Sequence, residues 1–247
     1  MNNLRNEIIK DLKEKFQHDK GVLGLILAGS SSTDCILNKN SDLDFIVITV
    51  NQGGRFEFYH KQGIWVEIFY EDEKRIKKCF DDNDEIMINC FKDGKILIDT
   101  KDKLAKLKNL AKTIGNEYNL SDYNLKKLKY RFQVMLLKIK NAYLEKDLDK
   151  IIFLCMYLFP YLLRGIYIVN HKIPPTLSLW FSKRNLAKLK GGELAINLFK
   201  AIIDYSNNNI DDIYNKFILL NEFVNSQMGG ALKEWKDIRK EQHQTFL

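Results

Sequence analysis

Residues 25–48 read LILAGSSSTDCILNKNSDLDFIVI, and this stretch decides the fold of the first half of the chain. It opens as an apolar run ending in Ala28, turns on Gly29-Ser30, and re-enters an apolar run at Asp42-Leu43-Asp44, eleven residues after the Gly-Ser pair. Side chains alternate along a strand, so Asp42 and Asp44 point to one face. Asp44, flanked by Leu43 and Phe45, lies where solvation is poor, and a turn or cap role does not account for it. Gly29-Ser30 stands at a strand-to-helix turn, where free backbone N–H groups and the helix dipole favour phosphate.

Working outward, β-type and helical runs alternate up to about Gly115. A first amphipathic helix is predicted over 3–17, with Leu4, Ile8, Ile9, Leu12 and Phe16 on one face. A strand over 22–28 is followed by a short helix over about 30–37, a turn over 38–41 and a second strand over 43–50. A hairpin over Lys61-Gln62-Gly63 joins strands at 56–60 and 64–70. A helix over 71–80, a short strand over 95–99 and a helix over 101–114 complete this half. In Trp65-Val66-Glu67-Ile68-Phe69, Glu67 is the one acidic residue within the strand, and it adds a third candidate carboxylate. Glu57, on a less apolar strand, reads as surface.

Beyond Gly115 the periodicity is helical throughout. Ser121 is the expected N-cap of a long helix running to about Glu145, and a helix over 148–170 is expected to be disturbed at Pro160. Pro174-Pro175 breaks the chain, Thr176 is placed to cap a third helix, and Gly191-Gly192 to end it. Helices over 193–205 and 210–225 precede a charged tail carrying Trp235. The expected fold class is therefore α+β: a small mixed-sheet domain, residues 1–115, followed by an all-α helical bundle, residues 116–247.

Charge separates the halves. Residues 1–110 hold 18 Lys/Arg against 19 Asp/Glu, whereas residues 111–247 hold 21 against 13, which leaves the overall +7 in the second half. A basic second half suits an anionic partner: a triphosphate, a phosphorylated substrate or RNA. A merely solvated basic face competes evenly with that reading. The four cysteines, Cys35, Cys79, Cys90 and Cys155, show no zinc or disulfide spacing, so a reducing, cytoplasmic setting is expected. The longest apolar run, around 151–161, is too short to span a bilayer.

Clustered carboxylates on neighbouring strands repel unless a cation compensates. Mg²⁺ takes hard oxygen ligands and keeps positions for phosphate, so Asp42, Asp44 and Glu67 read as ligands to one or two such ions. Gly29-Ser30, eleven residues, then Asp42-Leu43-Asp44 resembles the GS-x(n)-DxD signature of the DNA polymerase β-like nucleotidyltransferase superfamily. Glu67 resembles its third carboxylate, and the match covers roughly residues 20–70. Chain size and the helical second half further resemble the aminoglycoside and lincosamide (antibiotic) nucleotidyltransferases, and 162–175, LLRGIYIVNHKIPP, resembles their bundle segment.

The resemblance implies transfer of a nucleoside monophosphate, AMP from ATP in the first instance, to a hydroxyl of a small molecule, with pyrophosphate released. It implies catalytic and metal roles for Asp42, Asp44 and Glu67, phosphate contacts from Gly29 and Ser30, and a bundle that walls the acceptor. Among the bundle's cations Arg131 and Lys138 are the candidates for the triphosphate, because a guanidinium fork suits phosphate oxygens. Glu67, Asp122 and Glu145 are the candidates for a general base. A bundle this basic is a poor match for a polycationic aminoglycoside and suits a lincosamide, a phosphorylated metabolite or a nucleotide better. Two alternatives remain open: protein adenylylation of the antitoxin type, and an RNA-directed module in which Arg164 and His171 resemble the R-x(4–6)-H pair of HEPN ribonucleases. A homodimer is a further option, and no membrane association is expected.

Overall fold

A computed structural model of the chain describes residues 2–32, 42–175, 181–206 and 209–232. The chain divides into two compact units, Met1–Glu117 and Tyr118–Leu247. The first holds a mixed five-stranded sheet with helices and the second is helical, so the fold class is α+β.

In the first unit, helix α1 (Asn2–Gln17) leads into β1 (Val22–Ala28), a 3-10 turn at Gly29–Ser32, and β2 (Leu43–Thr49). Strands β3 (Arg55–Lys61) and β4 (Ile64–Asp72) form the hairpin, followed by α2 (Glu73–Asp81), α3 (Glu85–Asp93), β5 (Lys95–Asp99) and α4 (Lys103–Asn116). The sheet order is β3-β4-β2-β1-β5. Strands β2 and β4 run parallel and the other neighbours antiparallel. The hairpin therefore returns its second strand, not its first, to the side of β2.

Alternation divides the sheet between two cores. Leu25, Leu27, Leu43, Phe45, Val47, Val66, Ile68 and Tyr70 meet Ile8, Leu12 and Phe16 of α1 on one face. Ile26, Ile46 and Ile48 turn to the other face and are equally buried, where α2, α3 and α4 pack. Helix starts follow side-chain capping: Asp72 accepts from Arg75 N, Asp84 from Met87 N, and Asp99 takes the N–H groups of Leu104 and Ala105.

Two expectations change here. The helix over 30–37 is a single 3-10 turn as far as Ser32, and residues 33–41, which include the expected turn, lie outside the described residues. Helix α3 is not foreseen: its nine residues carry too little periodicity to stand out, yet Ile88 and Phe91 are fully buried.

The second unit contains α5 (Asp122–Leu144), α6 (Leu148–Val169), a short α7 (Lys183–Leu186), α8 (Gly192–Ile203) and α9 (Ile210–Gln227). Ser121 caps α5 by accepting from Asn124 N at 3.3 Å. Helix α6 packs against α5, α8 and α9 and forms the centre of the bundle. It runs unbroken through Pro160, because its buried face, Leu154, Leu158, Leu162 and Ile166, offsets the hydrogen bond that proline forgoes. It is thus 22 residues, longer than the apolar run suggests and long and apolar enough to cross a bilayer by length and composition, but most of its apolar surface is buried within the bundle. Gly191, with φ of 78°, is the N-cap of α8 instead of closing a preceding helix. Thr176 and Trp235 lie outside the described residues.

Candidate active site

The site assembles where the Gly29 turn meets the N-terminal end of β2. Gly29 adopts φ of 64°, a conformation that L side chains rarely take, and its backbone presses on the Asp44 carboxylate so closely that a Cβ there would overlap Asp44 Oδ2. Only glycine permits this approach. The turn is tied down from two sides: Ser31 Oγ donates to the Asp42 carbonyl at 2.7 Å, and the buried Arg5 of α1 donates from Nη1 to Ser31 Oγ at 3.4 Å. Ser30 is exposed on this turn, and Ser32 Oγ donates back to the Gly29 carbonyl at 2.8 Å.

Asp44 stands in register with Glu67 on the neighbouring parallel strand, and Glu67 in turn with Phe58 on β3. Residues in register share a face, so Asp44 and Glu67 lie side by side about 5 Å apart across the sheet. Asp42 is exposed just before β2. Burial pushes the Asp44 carboxyl from 3.8 up to about 6, with further upward pushes from the Asp42 and Glu67 charges. The anionic form of Asp44 is therefore strained, and a cation would relieve it. The donor set is all carboxylate oxygen, which fits Mg²⁺. Among the described residues no three acidic, histidine or cysteine side chains are gathered tightly enough to hold an ion by themselves.

Other sequence candidates lie in the helical unit. Arg131 packs its guanidinium over the Tyr161 ring at 4.1 Å and lines a hollow of about 190 Å³ with Asn124, Lys127, Leu128 and Arg164. Lys138 is exposed on α5, two turns beyond Arg131, and does not line that hollow. Asp122 is paired with Lys126 at 2.9 Å and Glu145 with Lys150 at 2.7 Å. Each of these candidate bases is thus an exposed acid held by a lysine. Arg164 lies on α6, and His171 follows its end at φ of 53°, with Nδ1 3.0 Å from Asn119 Oδ1. Glu57 accepts from Tyr70 Oη at 3.0 Å and pairs with Arg55.

Three contributors escape the linear reading. Arg5 looks like one more charge on an amphipathic helix. Ser31 looks like part of a polar run. Cys90 on α3 lies near Asp44, and its thiol is pushed up to about 12 by burial first and by the Asp44 charge second.

No family profile matches the chain, and no curated protein matches it. Among solved structures, a nucleotidyltransferase-like protein from Exiguobacterium sibiricum 255-15 superposes with a TM-score of 0.49 at 12% identity, over 87% of this chain and 72% of that one.

Proposed function

We propose that this protein is a Mg²⁺-dependent nucleotidyltransferase that moves a nucleoside monophosphate, AMP from ATP in the first instance, to a hydroxyl of a small molecule. One observation carries the reading: the Gly29 turn is pressed against an Asp44 carboxyl that register pairs with Glu67 and that burial and like charge have raised to about 6. A structural aspartate gains nothing from such a position. A cation ligand next to a phosphate-binding turn does, because the ion removes the repulsion when it binds.

In this reading Asp42 and Asp44 hold the divalent cations, with Glu67 completing the set or accepting the acceptor's proton. When bound, the metal neutralises charge on the phosphate oxygens. Ser30 Oγ and the backbone N–H groups of the turn receive the β- or γ-phosphate. Arg5 and Ser31 keep that turn at a fixed distance from Asp42. Glu67 is the favoured base, since Asp122 and Glu145 are each neutralised by a lysine. A polycationic aminoglycoside is a poor electrostatic match for the basic second half. The reading also carries the cytoplasmic setting expected from the cysteines.

The test is pyrophosphate release with Mg²⁺ and each NTP across a panel of hydroxyl acceptors, run beside Asp42→Asn and Asp44→Asn. Acceptor-dependent release that both variants lose supports the proposal. Release that survives in either variant removes the metal assignment.

A further inference from the structure

The face of the sheet that bears Asp44 and Glu67 does not end at Glu67. On β4 the alternation that leaves Glu67 half-buried exposes Trp65 and Phe69 on the same face, and on β3 it exposes Phe56, Phe58 and His60. The pairs meet across the hairpin: Phe56 with Phe69, Phe58 with Glu67, His60 with Trp65. Ring centroids are 4.8 Å apart for Phe56–Phe69, 5.9 Å for Phe56–Phe58, 6.1 Å for Phe58–Trp65 and 4.9 Å for His60–Trp65. Cross-strand aromatic pairing explains part of this cluster. It does not explain the exposure, which is 48% for Phe56, 63% for Phe58, 52% for Trp65 and 37% for Phe69. Their strand neighbours Ile64, Val66 and Ile68 on the opposite face are fully buried.

This row is continuous with the candidate active site. At the level of the carboxylates the sheet reads Gly29 at the end of β1, Asp44 on β2, Glu67 on β4 and Phe58 on β3. With strands about 4.8 Å apart, Phe58 lies about 10 Å from Asp44. Displacement at phosphorus is in line, so the attacking hydroxyl stands opposite the departing pyrophosphate. Resting on the nucleotidyl-transfer reading, the pyrophosphate belongs to the Gly29-Ser30 side. The attacking hydroxyl then belongs on the other side, over Glu67 and the aromatic row.

We propose that Phe56, Phe58, Trp65 and Phe69 form a stacking platform for the acceptor, and that this acceptor is a small, uncharged molecule carrying a planar aromatic or heteroaromatic ring beside its hydroxyl. Rings at this spacing offer a flat surface, and stacking on it is tolerant of ring identity. A polyanion such as RNA is disfavoured by the Glu67 carboxylate within the row. A second copy of the chain is disfavoured by area: four half-exposed rings offer about 400 Å², against the roughly 800 Å² per partner of a stable interface.

The experiment uses the full chain and matched probe pairs, adenosine against ribose and phenyl against methyl β-D-glucoside. Binding is followed in every variant by saturation transfer to the probe's own protons, and in the wild type also at the Trp65 indole N–H resonance, assigned by its loss in Trp65→Phe. Mg²⁺–tripolyphosphate is titrated in parallel. The ring-bearing probes are expected to bind and the ring-less ones not. Phe58→Ala should weaken binding by about 5- to 100-fold, Phe58→Ala/Trp65→Ala should abolish it, and Trp65→Phe should retain it. Tripolyphosphate binding should be unchanged in all three. The proposal is overturned if no ring-bearing probe binds, or if the double variant binds them as the wild type does. It is equally overturned if a single-stranded hexanucleotide binds far more tightly than adenosine through the same rings, or if Phe58→Ala instead abolishes a dimer in sedimentation. Failure of wild-type tripolyphosphate binding would sink the nucleotidyl-transfer reading while leaving the ring-binding result intact.

Discussion

Replacing Asp44 by Asn keeps the side chain's shape and removes one negative charge from β2 beside the Gly29 turn, and the consequence for stability can be worked out. The Asp44 carboxyl is raised from 3.8 to about 6. A shift of about 2 units corresponds to about 3 kcal/mol, and solvent screening at this partly exposed site reduces it to about 1–2 kcal/mol. The sign follows from the direction of the shift. Because the folded state holds the proton more tightly than the unfolded state, Asp44 favours folding below about pH 4 and loses that contribution as pH rises through 6. The amide of the Asp44→Asn variant does not titrate and has no such loss. In EDTA at pH 7.5, Asp44→Asn should therefore melt about 3–8 °C above the wild type. The gap should close as pH falls from 7 towards 4. Adding Mg²⁺ with a nucleotide should raise the wild-type melting temperature and leave the variant's unchanged, so that inactivity and greater stability occur together. Thermal melts by circular dichroism at four pH values, with and without Mg²⁺, measure all of this. A variant less stable than the wild type at pH 7.5 in EDTA, or a gap that does not change with pH, would refute the reasoning.

Other expectations follow from the same geometry. The apparent affinity for Mg²⁺ should rise with pH through about 6 and then level off, because the cation displaces one proton from Asp44; isothermal titration in two buffers of different ionisation heat counts that proton. Gly29→Ala should abolish turnover and Mg²⁺–nucleotide binding while the far-ultraviolet spectrum of the sheet persists, since the added methyl overlaps the Asp44 carboxylate. Ser31→Ala removes the hydrogen bond to the Asp42 carbonyl and a partner of buried Arg5, and should cost about 0.5–1.5 kcal/mol in urea unfolding. Cys90 and Cys155, both pushed to about 12 chiefly by burial, should resist iodoacetamide at pH 8 in the native protein and react once it is unfolded, as peptide mass mapping would show.

Local rules carried much of this molecule. Apolar alternation located β1, β2 and the β3–β4 hairpin to within two residues, and helical periodicity located α1, α4, α5, α6 and α9. Those signals are legible because burial on one face imposes a period of its own on the sequence. Asp42 and Asp44 could be paired on the same ground, since a strand by itself fixes that i, i+2 side chains share a face. The helix through Pro160 and the short α3 were not legible, because tertiary packing overrides local propensity in each.

The decisive feature of the site was settled only in three dimensions. Nothing local specifies that β4, and not β3, lies beside β2, and strand order depends on which apolar faces must be covered together by α1 and by α2–α4. That choice sets Glu67 next to Asp44 and Phe58 next to Glu67. The seating of Gly29 on Asp44 is likewise a contact between residues fifteen apart in sequence, held by Ser31 and Arg5. The sequence by itself determined which residues carry charge and which strands they occupy. The tertiary structure decided which of those charges face each other, because charges on different strands interact only once long-range pairing has brought them within a few ångströms.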